Sequence, residues 1–273
     1  NIPCVTGILK LEPLFTAQMP SLVSLVMTVY NREDYLSLAL DSILLQTYPH
    51  WHLTIWDDGS TDSSPDIAQH YASFDPRIRC VKANHAGQTH SLHAAMIYSV
   101  HPYFGWVDSD DLLAPDALAV TVAILDERTD IGMVYTDHRL IDISGRDLGL
   151  GARCCIPYSK ERLLIDFMTF HFRLIRREIY DLVGGIDVAV PYVQDYDLCL
   201  KISEVTEIYH HPQPLYDYRV HPTMISQTHK NDVTTSAALA VRNALVRRGL
   251  SHRYRLDIIE GDRFKLVKIS KTD

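Results

Sequence analysis

The sequence predicts an α/β protein built on an open, mostly parallel sheet flanked by helices. Three observations predict it. Short apolar runs alternate with helical patterns from residue 22 to residue 111, each acidic cluster in that stretch follows a strand, and 273 residues of ordinary globular composition can bury a core unaided. A hydrophobic content of 47% and a charged content of 22%, with no repeat or low-complexity tract, fit a folded enzyme-sized unit.

Residues 22–30 form an apolar run suited to a buried strand, and polar Asn31 and Arg32 end it. From Asp34, the residues Leu36, Ala39 or Leu40, Ile43 and Thr47 recur at helical spacing until Tyr48-Pro49. Residues 52–56 read as a second strand running into Asp57-Asp58-Gly59-Ser60-Thr61-Asp62. Ser64-Pro65 then supply an N-cap and first-turn pair for the next helix. Residues 79–82 supply a third strand, 89–100 a helix, and 103–107 a fourth strand ending at Asp108-Ser109-Asp110-Asp111. A helix from Pro115 and a strand at 133–136 follow, and 141–162 reads as a long variable loop. Gly184-Gly185 end a helix-like stretch, 195–203 reads as a helix, 208–220 as one or two short strands, 232–248 as a closing helix, and 250–273 as a peripheral strand pair or a link onward.

Composition excludes several functions. A formal net charge of −8 repels a polyphosphate backbone, and no basic run interleaved with aromatics offsets it, so nucleic acid is not an expected partner. Cysteines 4, 80, 154, 155 and 199 show no CxxC spacing, which fits a reducing compartment. Polar residues and prolines interrupt the two uncharged stretches at 13–31 and 83–107, so no transmembrane segment is expected. The expected setting is cytoplasmic, free or peripheral to a membrane. His90-x-x-His93 and His210-His211 lack a third ligand at a recognisable zinc spacing. The only GxG, Gly149 to Gly151, lies mid-chain with Cys154 where a third glycine belongs, which excludes a dinucleotide fingerprint. The first loop also lacks the glycines a nucleotidyltransferase would need over a triphosphate.

In an open parallel sheet, ligands bind beyond the carboxyl ends of the strands, where Asp57, Asp58 and Asp110 can meet. Carboxylates there are hard oxygen ligands of the kind Mg²⁺ or Mn²⁺ uses when it borrows phosphates from a nucleotide. In an alternating Asp-x-Asp, one carboxylate can take the metal and the other the ribose or a water. An acidic turn alone is equally a solvated loop tip or a helix cap.

The ordered set is more specific than any member. Val29-Tyr30-Asn31-Arg32, Trp56-Asp57-Asp58-Gly59-Ser60-Thr61-Asp62, Gly87-Gln88, Trp106-Val107-Asp108-Ser109-Asp110-Asp111 and Gln194-Asp195-Tyr196-Asp197-Leu198 together resemble the family 2 glycosyltransferases over residues 21–228. The resemblance implies a GT-A fold, Rossmann-like, with a mostly parallel central sheet and a smaller α+β acceptor-side annex. It implies an N-terminal extension at 1–20, a GT-A domain at 21–228 with nucleotide and acceptor halves meeting near 111, and a C-terminal helix and tail at 229–273.

By the same resemblance, the chain makes an inverting transfer of a sugar from a nucleotide-sugar donor, UDP-linked, to a hydroxyl acceptor such as a glycan or cell-surface polysaccharide precursor. Val29, Tyr30, Asn31 and Arg32 then line the nucleoside, with Asp57 and Asp58 near the base and ribose, Gly87 and Gln88 beside them, and Asp108 beside the ribose. Asp110 holds the Mn²⁺ or Mg²⁺, Asp195 is the catalytic base, and Arg219 and His221 approach the diphosphate or metal. Two departures stand out: Leu92-His93 replaces a frequent Arg-Asn pair, and Gln194 replaces an acidic residue before Asp195. Two alternatives stay open, a helix-capping role for Asp195 and a non-catalytic nucleotide-sugar or glycan-binding module on the same fold.

Overall fold

The computed structural model describes residues 19–224, 228–259 and 263–269. The expected extension at 1–20 lies almost wholly outside them. Strand β1 (Val23–Val29) pairs in parallel with β2 (Trp51–Asp57) and β4 (Tyr103–Trp106), and β2 pairs in parallel with β3 (Ile78–Lys82). Helices α1 (Leu36–Leu44), α2 (Ser64–Phe74) and α3 (Gln88–Ala95) make the crossovers. Burial on both faces explains the unbroken apolar run of β1. Leu25, Met27 and Val29 pack on one side with Leu36, Leu40 and Ile43 of α1, while Val26 packs on the other with Leu92 and Ala95 of α3.

The second half extends the same sheet. After the short β5 (Leu112–Leu113) and α4 (Ala117–Glu127), the chain forms β6 (Ile131–Ile141), β7 (Asp147–Leu150), β8 (Arg173–Arg176) and β9 (Glu207–Arg219). The order is β3-β2-β1-β4-β8-β6-β9-β5, with β7 on β6. β1 to β4, β6 and β9 run one way, and β5, β7 and β8 run against them. The carboxyl ends of the first set and the start of β8 therefore share one edge. Helix α5 (Arg177–Leu182) ends at Gly184 and Gly185, both at positive φ, and α6 (Gln194–Val205) follows. Helix α7 (Lys230–Arg247) packs on α6, and β10 (Tyr254–Ile259) pairs antiparallel with β11 (Arg263–Lys268).

Two local expectations need correction. The loop expected at 141–162 contains β7, reached through a turn in which Ser144 and Arg146 donate backbone N–H groups to Asp142 Oδ1. β7 is only four residues long and exposed throughout, so its alternation of Leu148 and Leu150 is too short to mark a strand. Ser64 is the first residue of α2 rather than its cap, and its hydroxyl accepts the backbone N–H of Arg32 at 2.8 Å.

Candidate active site

The donor side is built from loops at the shared strand edge. Asn31, at φ 52°, accepts the Thr61 N–H on its side-chain oxygen at 2.8 Å, while its own N–H donates to Ser60 Oγ at 3.0 Å. These bonds tie the β1 and β2 loops into one wall. Tyr30 is 42% exposed and stacks on His85 with ring centroids 4.1 Å apart. Asp58 organises the neighbouring loop. Its two oxygens accept the Ala86 and Gly87 N–H groups at 2.8 and 2.9 Å, and His85 Nδ1 lies 3.0 Å away. Gly87 sits at φ 90° where the chain turns into α3, a conformation glycine adopts without steric cost.

The expected nucleotide contacts differ in what they leave open to a ligand. Asp58 is engaged as a loop clamp. Asp57 is also buried, but only its Oδ1 has a hydrogen-bond donor among the described residues, Ser60 N–H at 3.2 Å, which leaves it the better acceptor for a base. The Val29 side chain is core, so only its backbone can face a ligand. Gln88 lies half-buried at the start of α3.

At the end of β4 the aspartates diverge in role. Asp110 Oδ2 receives Arg32 Nε at 2.8 Å and lies 3.0 Å from His221 Nε2. Burial opposes its ionisation, but the His221 hydrogen bond and the Arg32 charge outweigh that and hold the carboxyl below its usual range. Asp111 is fully enclosed, accepting Arg219 N–H at 2.7 Å and Tyr216 O–H at 2.9 Å. Burial, with Asp110 and Asp108 adding repulsion, pushes its carboxyl well up. For Asp108 the same burial, plus the charges of Asp110 and Asp195, raises the pKa to about 7. A cavity of about 470 Å³ is lined by Asn31, Tyr35, Thr61 and Thr223 together with Arg32 and His221, the two partners of Asp110.

Arg219, expected to approach the diphosphate or metal, is held by backbone carbonyls through two of its nitrogens. It is 2% exposed, its Nε donates to the Asp110 carbonyl at 2.8 Å, and its Nη1 donates to the carbonyls of Asp142 and Ile143. It braces the acidic turn from beneath. His221, with the same expectation, lies beside Asp110.

The acceptor side is joined to this turn by two residues that no motif marked. Arg173, 1% exposed at the start of β8, donates to Thr169 O at 2.9 Å and to Asp195 Oδ2 at 3.1 Å. Its Nη2 also lies 3.3 Å from His171 Nδ1. Burial and the Arg173 charge drive the His171 pKa well below the usual imidazole range, so the ring is neutral. With Arg173 on Nδ1, the ring proton belongs on Nε2, which faces Asp108 Oδ2 at 3.4 Å. A continuous polar path thus runs Asp108–His171–Arg173–Asp195. Asp195 is the second residue of α6, its Oδ1 accepts only the adjacent Tyr196 N–H among the described residues, and the N-cap is Val193. Gln194 meets α3, accepting the Thr89 hydroxyl at 2.9 Å, a bond a carboxylate could also accept.

Among the described residues no group of three or more His, Cys, Asp or Glu is arranged to hold a metal. Asp110 and His221 nevertheless stand together as one oxygen and one nitrogen donor, with the Arg32 guanidinium neutralising the carboxylate. That donor set fits a divalent cation whose remaining ligands are phosphate oxygens and water.

Residues 24–184 match the family described as Glycosyl transferase family 2. A chondroitin synthase of Escherichia coli is 31% identical over 212 residues, 78% of this chain but 31% of that protein. A hyaluronan synthase of Pasteurella multocida is 27% identical over 245 residues, 90% of this chain and 25% of that protein. The chain therefore spans a third or less of these curated relatives. In structure it resembles S. aureus TarS in complex with UDP, at TM-score 0.66 and 16% identity over 85% of this chain and 70% of the other. It also resembles the mannosyltransferase PcManGT of Pyrobaculum calidifontis, solved with GDP-Man and Mn²⁺, at 0.63 and 17% over 85% and 65%. The fold is GT-A-like.

Proposed function

The chain belongs to glycosyl transferase family 2, and from that premise we propose that it transfers a sugar from a uridine nucleotide to a hydroxyl of a glycan acceptor, with inversion. The observation that carries the reading is the separation of two carboxylates across one polar path. Asp110 stands with Arg32 and His221 on the donor side, and Asp195 with Arg173 on the acceptor side. A single displacement needs such a division, because the group that takes the acceptor proton cannot also hold the departing diphosphate.

In this reading Asp195 accepts the proton of the attacking hydroxyl, and Arg173 orients its carboxylate through Oδ2 while Oδ1 carries only the adjacent Tyr196 N–H. Tyr30 and His85 offer a stacking surface to the base, and Asp57 accepts from a base N–H. Asp110 with His221 would hold Mn²⁺ or Mg²⁺, which when bound neutralises charge on the diphosphate. Arg32, released from Asp110, can turn to the phosphates. The relatives' printed names, chondroitin and hyaluronan synthase, favour polysaccharide assembly as the setting.

Calorimetry with UDP and GDP, in Mn²⁺ and in EDTA, tests this directly. UDP should bind more tightly than GDP, and chelation should weaken UDP binding by roughly tenfold or more, the loss of a charge-assisted contact. Equal or tighter GDP binding would reject the uridine assignment, and UDP affinity unchanged by EDTA would reject the metal.

A further inference from the structure

Beside Asp195 lies a cation for which neither the fold nor the transfer step accounts. Arg153 sits in the short turn after β7, and the only hydrogen bond of its side chain among the described residues runs from Nη1 to Phe167 O at 2.7 Å. Its guanidinium carbon lies 5.1 Å from the Phe167 ring centre and 4.9 Å from that of Phe170. The rings crowd the side chain, yet the residue stays exposed. The rings desolvate the guanidinium and hold its pKa below the usual range, and Asp195 is the strongest charge in its favour.

Arg173 already neutralises Asp195, so Arg153 is a surplus positive charge at the acceptor side. The rings beneath it continue into a partly exposed shelf. Phe170 meets Tyr218 with centroids 5.3 Å apart and His171 at 4.6 Å, and His171 leads to Asp108. An aromatic shelf next to a base suits the apolar face of a sugar ring. A fixed guanidinium with free N–H groups above that shelf suits a planar or tetrahedral anion.

The geometry points to Arg153 as an acceptor-recognition residue that binds an anionic group, a carboxylate or a phosphate, on the sugar or polyol presented to Asp195. This assignment rests on the glycosyl-transfer reading above. It makes the acceptor an acidic glycan or a phosphate-bearing polymer, with the ring on Phe167, Phe170 and Tyr218 and its hydroxyl at Asp195.

The test is a titration of the protein, saturated with UDP and Mn²⁺, with three probes. These are a glucuronate-terminated tetrasaccharide, the same tetrasaccharide with its carboxylates reduced to alcohols, and a glycerol phosphate oligomer. One anionic probe should bind about 10- to 100-fold more tightly than the reduced one, the range of a charge-assisted hydrogen bond, and which anion wins separates carboxylate from phosphate. Arg153→Gln should remove that preference while changing neutral-probe affinity less than about twofold, and Arg153→Lys should restore part of it. Equal affinity for charged and neutral probes, no measurable binding of either anion, or an equal loss for all probes in Arg153→Gln would overturn the assignment. If UDP still binds, such a result removes only the role of Arg153. Absence of UDP binding would instead remove the transfer reading beneath it.

Discussion

At the scale of single residues, the site depends on polar groups whose partners decide what they can do. Asp57 and Asp58 are adjacent and both buried, yet only Asp58 has both oxygens on backbone donors. Sequence shows the pair and not the partners, which is why their roles separate only in three dimensions. Arg219 is a similar case, since a late arginine near a diphosphate loop reads as a ligand until its carbonyl partners are visible. His138 yields a prediction of pH dependence. It is buried against Phe170, and burial with the nearby Arg153 charge pushes its pKa down to about 4. The folded state thus binds fewer protons than the unfolded one between about pH 4 and 6.5, so stability rises with pH across that window and falls on acidification. The contribution is on the order of 3 kcal/mol when the window is fully crossed. Urea titrations at pH 7 and pH 5 should show His138→Phe losing less stability on acidification than the wild type. An identical loss in both would show that His138 does not supply this dependence.

At the scale of elements, β1 and β4 are legible because both faces are apolar, and β2 and the edge strand β3 because a short apolar-rich run ends in a polar turn. β6 was read as four residues although it spans Ile131–Ile141, because its second half carries Asp137, His138 and Arg139. These polar residues are accommodated by partners across the strand gap: His210 Nε2 lies 2.7 Å from Asp137 Oδ1, and Arg139 donates to Asp217 at 2.9 Å. Such pairing cannot be seen from one strand alone. The junction of β4 with β8 is equally hidden. Gly105 lies in the middle of β4, where an added Cβ would stand 2.7 Å from the Arg173 carbonyl and 2.9 Å from the Phe172 ring. Backbone oxygen cannot yield as a flexible side chain can, so Gly105→Ala should cost about 1–3 kcal/mol in a denaturation midpoint. It should also lower turnover by displacing Arg173 from Asp195. A variant as stable and active as wild type would contradict the close approach.

At the scale of the whole molecule, one sheet edge gathers loops from distant parts of the chain because six strands run the same way and β8 begins where they end. The ordered acidic motifs were readable in the sequence, but Arg173, His171, His85 and Arg153 were not. Each is an isolated residue whose neighbour in space is far along the chain. No helix among the described residues is long and apolar enough to cross a membrane. The central claim is that Asp110 serves the donor and Asp195 the acceptor. The most direct measurement compares Asp195→Asn and Asp110→Asn for UDP affinity, melting temperature and turnover of donor with acceptor. Asp195→Asn should keep its melting temperature and its UDP affinity within about twofold while losing roughly two to four orders of magnitude in turnover, whereas Asp110→Asn should lose both affinity and turnover. Asparagine keeps the shape of aspartate and the Oδ1 acceptor for the Tyr196 N–H, so near-normal turnover in Asp195→Asn with unchanged melting would contradict the account and leave Asp195 a structural residue.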